Sequence, residues 1–129
     1  MDQKGSAVQT IIRMKGHPVK AIINSEASVS IITLPIVKQL RLQMSLANSS
    51  SIVIVDKAKK KVIGFIRGAP FIIADVRVLV DLIIIDAPRA ALLVGTDWLR
   101  RYLVDLLFSK KRLILESKGQ KLSIPIEYD

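Results

Sequence analysis

Asn24, Ser25 and Glu26 interrupt the stretch "AIINSEASVSIIT" (21–33), an amide, a hydroxyl and a carboxylate set between two apolar, β-branched runs. Such a trio can orient a ligand or a water molecule through hydrogen bonds, but of the three only the carboxylate can exchange a proton near neutrality. Elsewhere the chain offers little chemistry. It has no cysteine, so neither a disulfide framework nor a thiolate nucleophile is available. Its one histidine, His17, falls in "KGHP" (15–18), a turn signal, and has no second His or Cys with which to hold a metal. No metal and no cofactor are expected.

The elements that must position this trio are mostly strands. "VQTIIRM" (8–14) and "VKAIIN" (19–24) read as a hairpin about Gly16 and Pro18, and "SIIT" (30–33) continues in extended form beyond the small-residue turn. In "LPIVKQLRL" (34–42) the period changes to that of a short helix, with Pro35 in its first turn and Thr33 as an N-cap. Strand patterns return in "SIVIV", "KVIGFIRGAPFII" and "VRVLVDLIII". "ALLVGTDWLRRYL" then runs from an apolar strand through Gly95 into a second short helix that Thr96 or Asp97 can cap, with Trp98, Leu99 and Tyr102 on its core face. "RLILES" and "KLSIPIE" form a closing hairpin across "KGQ". Many short strands with one or two short helices predict a mainly β barrel or sandwich, and 129 residues without a linker predict one domain with its core over about 8–126.

Half of the residues are hydrophobic, more than a small monomer needs, so some apolar surface is expected to be covered by a partner, most simply a second copy. The apolar windows are broken by Asp81 and Asp86 and fall short of the roughly 20 residues of a membrane span. "MDQKGSAV" lacks the order of a signal peptide, which makes an intracellular, cytoplasmic location the default expectation. The formal charge of +9 gathers in "DKAKKK", "LRRY", "SKKR" and "SKGQK", at predicted turns and without interleaved aromatic residues. Solvated turns explain that distribution better than a nucleic-acid site does, since no stacking platform accompanies the charge.

The order of these parts resembles the retropepsin-like aspartic protease domain of retroviruses and retrotransposons, over about residues 8–126. Two places carry the resemblance. The family's active-site stretch, apolar-apolar-Asp-Thr/Ser-Gly-Ala-Ser, falls on Ile22, Ile23, Asn24, Ser25, Glu26, Ala27 and Ser28; its second hallmark falls on Leu93, Val94, Gly95, Thr96, Asp97, Trp98 and Leu99. The resemblance implies a closed β barrel, a homodimer that brings two active-site loops to a two-fold axis, and a cleft for an extended peptide. It also implies a covering hairpin with its tip at Asp56, Lys57, Ala58, Lys59 and Lys60, where the family tends to have glycine.

The departures fall on the chemistry. The family's paired aspartates share one proton, so that one is a base toward water and the other an acid toward the scissile carbonyl. Asn24 stands at that aspartate and cannot take the proton, which implies a pseudoprotease. Ser25 keeps a hydroxyl that the family uses to brace its two loops. Glu26 replaces a glycine, and in a family-like dimer two such carboxylates repel near the axis. Two other readings compete: an active endopeptidase whose aspartate has been changed to Asn24, and a basic nucleic-acid-binding module without catalysis.

Overall fold

A computed structural model of the chain describes residues 8–47, 51–55 and 57–128. The first hairpin joins β1 (Val8–Met14) to β2 (His17–Ile23). Its turn is only Lys15 and Gly16, at φ 50° and 81°. Met14 pairs with His17 and Arg13 with Pro18, so His17 belongs to the strand and not to the expected turn. An X-Gly pair in the left-handed region matches the twist of both strands and closes the hairpin earlier than Pro18 suggested.

β3 (Ser30–Thr33) leads into helix α1 (Leu34–Leu40), which buries Ile36, Val37 and Leu40. Thr33 occupies the N-cap position but makes no capping bond. Its hydroxyl serves the neighbouring loop, accepting from the Ala91 N–H at 2.9 Å. The chain then passes through β4 (Ser45–Leu46) and the hairpin of β5 (Ile52–Val55) with β6 (Ala58–Ile73), and returns along β7 (Val76–Ile85). β8 (Leu92–Val94) precedes helix α2 (Thr96–Arg101), whose N-cap is Gly95, one residue earlier than Thr96. As expected, Trp98 is buried beneath α2, while Leu99 and Tyr102 pack against the core. β9 (Asp105–Leu107), β10 (Arg112–Ser117) and β11 (Gln120–Pro125) make a separate three-stranded sheet, and β12 (Glu127–Tyr128) pairs with β1.

Six of these strands close on themselves in the order β1, β2, β8, β3, β7, β6, with the Arg13–Ile72 pair returning β6 to β1. The barrel core is aliphatic, with Ile12, Ile32, Leu82, Ile84, Leu92 and Phe71 almost wholly removed from water. β6 is irregular: its register with β7 slips between Val62 and Gly64 and again between Ile66 and Ala69. Gly68, at φ 62°, sits in the second slip and donates its N–H to Asp81 Oδ1 at 2.7 Å. Such bulges bend a long strand, which lets β6 serve both the barrel wall and the hairpin beyond it. Among the described residues no helix is long and apolar enough to cross a membrane.

Candidate active site

β2 and β3 are consecutive strands of the barrel wall but not neighbours, because β8 lies between them. β8 runs parallel to β2, pairing Ile22 with Leu93 and Ile23 with Val94, and antiparallel to β3, pairing Ile31 with Leu93. The connection 24–29 therefore has to cross the carboxyl end of β8, where Gly95 lies. Topology thus brings together two segments separated by about 70 residues in the chain.

The crossing is held by a compact set of bonds. Asn24 N–H donates to the Val94 carbonyl at 2.9 Å, and Thr96 N–H donates to the Ala27 carbonyl at 2.7 Å. Between them Gly95 N–H donates to Ser30 Oγ at 3.0 Å, and the Ser30 hydroxyl donates to Asp97 Oδ1 at 2.8 Å. The same Asp97 oxygen accepts from Trp98 N–H at 2.8 Å, inside the first turn of α2. Glycine is required at 95 by proximity: a Cβ there would lie 2.6 Å from the Ala27 carbonyl oxygen and closer still to that of Val29. The signature "GTDWL" is therefore the seat of the Asn24 loop. Asp97 works as a brace between Ser30 and α2 rather than as the cap expected of it.

Asn24 is half-buried, and its side-chain Oδ1 accepts from the Glu26 N–H at 3.0 Å. This bond closes a local turn of the kind short polar side chains favour. Ser25 and Glu26 project into solvent. Glu26 is not among the non-glycine residues at positive φ, so the loop accommodates it where the family pattern has glycine. Of the remaining motif residues, Val94 is buried in the core, Leu93 is half-buried, and Thr96 opens α2.

The β5–β6 hairpin stands where the covering hairpin was expected. Lys57, at φ 64°, is in its turn, and Ala58, Lys59 and Lys60 begin β6; Asp56 lies outside the described residues. Between this hairpin and the barrel runs a groove of about 430 Å³. Its floor is Ile22, Ile31, Ile85 and Leu93, contributed by four strands. Val55, Ala58 and Lys60 line it from the hairpin, and Arg89 from the loop between β7 and β8. Ile22 and Leu93 belong to the two motifs and alternate with buried neighbours in barrel strands, whereas Ile31 and Ile85 are themselves buried and carry no signal of their own in the sequence. The depression of about 500 Å³ lined by Lys15, Arg41 and Arg67 contains neither motif. Among the described residues no cluster of His, Cys, Asp or Glu could hold a metal ion.

A closed six-stranded barrel with a loop crossing an inserted strand, and a hairpin over an apolar groove, defines the acid-protease class of fold. The family described as "Retroviral aspartyl protease" matches residues 1–121, and the chain belongs to that family. Among solved structures, the retroviral protease-like domain of Ddi1 from Leishmania major is similar at 19% identity, covering 96% of each chain with a TM-score of 0.76. EIAV protease, solved with the inhibitor HBY-793, is similar at 12% identity over 78% of this chain and 92% of its own, with a TM-score of 0.59. Comparison with curated protein sequences gives no match.

Proposed function

We propose that this chain is a protease-fold domain without hydrolytic activity whose remaining role is to bind, either a second copy of itself or an extended peptide in the groove lined by Ile22 and Leu93 of the two motifs. The observation that carries this reading is the chemistry of residue 24. An amide occupies the position of the family's proton-transferring acid, and its oxygen accepts the Glu26 N–H. A carboxamide neither removes a proton from water nor returns one to a leaving amine. General acid–base catalysis is worth about 10²- to 10⁴-fold, so losing both members of a dyad leaves no efficient route through this site. Glu26 does not replace the lost acid: its side chain starts two residues along the loop and is solvated.

The surroundings support retention of the scaffold. The bonds joining Asn24, Gly95, Ser30 and Asp97 are intact, and the groove is open. The expected outcome with a broad peptide mixture, from acidic to neutral pH, is no cleavage sensitive to a statine-type inhibitor. The double substitution Asn24→Asp with Glu26→Gly is expected to bring cleavage above that background by at least about 10²-fold. Robust turnover by the unaltered chain would overturn the proposal. Intact mass on fresh and aged samples guards that assay against conversion of Asn24 to aspartate, which adds about one dalton by amide hydrolysis.

A further inference from the structure

The groove has an apolar floor and a cationic wall, and this combination selects among peptides. Lys60 faces it from β6, on the same side of the hairpin as Val55 and Ala58, as the pairing of Val53 with Lys60 and Val55 with Ala58 requires. Arg89 enters from a different element, the loop between β7 and β8. Among the described residues no acidic side chain lines the groove, and neither cation makes a hydrogen bond or ion pair with them. Lys60 is half-buried, so its aliphatic stem covers apolar surface while its ammonium stays available to an incoming anion. β5, which reaches the groove through Val55, pairs only with β6 among the described strands, leaving backbone groups on its other edge for an added strand.

Resting on the cleft reading above, we propose that the groove recognises extended peptide segments in which aliphatic side chains adjoin acidic ones. The aliphatic group fills the Ile22, Ile31, Ile85 and Leu93 floor, and the carboxylates meet Lys60 and Arg89. Phosphate polyanions share the charge but bring no aliphatic group for the floor.

The test is fluorescence anisotropy of the full chain with labelled peptides containing an Ile-Val pair flanked by Glu, by Gln or by Lys. Exposed ion pairs are individually weak, so the Glu-flanked peptide is expected to bind roughly 3- to 10-fold tighter than the Gln-flanked one, with the advantage shrinking in high salt. The variant Lys60→Glu with Arg89→Glu, its fold checked by circular dichroism, is expected to invert the preference toward the Lys-flanked peptide. Equal binding of Glu- and Gln-flanked peptides by the unaltered chain would overturn the specificity and leave the cleft reading standing. Absence of binding by every peptide would remove the cleft reading itself, and the specificity with it. Displacement of the Glu-flanked peptide by an unstructured oligonucleotide, lost in the double variant, would assign the two cations to phosphate and overturn the proposal.

Discussion

Ser30 is wholly buried and bonded on both sides, accepting from Gly95 N–H and donating to Asp97. Replacing it by alanine strands the Gly95 N–H, a buried donor with no water to turn to. The expected loss is about 1–3 kcal/mol, read as a lower urea midpoint at unchanged slope. Gly95→Ala attacks the same junction by overlap, driving a methyl group into the Ala27 and Val29 carbonyls, and is expected to cost about as much or more. A change below about 0.5 kcal/mol in both variants would mean that the crossing is not held as described. Asn24 and Gly95 were legible in the sequence because each sits in a recognisable motif. Ser30 was not: a serine in "SIIT" reads as an ordinary strand residue, and only its complete burial identifies it as a bridge. Asp97 likewise looks like a helix cap until β8 is seen to lie beside β3.

At the level of elements, three two-residue turns can be compared within one molecule. Lys15-Gly16, Lys118-Gly119 and Ala74-Asp75 each have positive φ at both positions and link strand residues paired directly across the turn. This is the signature of the tight hairpin turn that prefers Asn-Gly or Asp-Gly. The first two turns follow it with glycine second. Ala74-Asp75 does not, holding side chains with a Cβ at φ 48° and 64°. Ala74→Asn with Asp75→Gly is therefore expected to stabilise the protein by roughly 1 kcal/mol in thermal or urea unfolding, and a loss of stability would show that the turn is not of this kind. Such turns, and the long β-branched runs they join, made most strands legible. The short strands β4, β9 and β12, of two or three residues each, were not, because alternation needs more residues than they contain. Their pairing is set by the sheets they border rather than by their own sequence.

At the scale of the whole molecule, excess charge and excess apolar surface oppose one another. The chain carries a formal charge of +9, yet it leaves Ile52 and Ile54 exposed on the β5 hairpin, and Leu103, Leu107 and Phe108 around the second sheet. Burial of such groups favours association, at about 25 cal/mol for each Å² of apolar surface removed from water. Like charge opposes it over distances of about 10 Å at moderate ionic strength. If two copies meet through the Asn24 loops in the manner of the family, the exposed Glu26 of each adds a local repulsion at the junction. Both electrostatic terms act in the same direction, and added salt screens both. Self-association measured by sedimentation equilibrium is therefore expected to strengthen from low to high salt, and Glu26→Gln is expected to strengthen it further, by more in low salt than in high. The dependence on that one residue separates this arrangement from general screening. A surface lysine change such as Lys118→Gln lowers the net charge by the same unit that Glu26→Gln raises it, so simple net-charge repulsion predicts tighter association for Lys118→Gln and weaker for Glu26→Gln. The opposite order, with Glu26→Gln the tighter of the two, is the outcome expected of a junction built on the Asn24 loops, and its absence would place any self-association on another face.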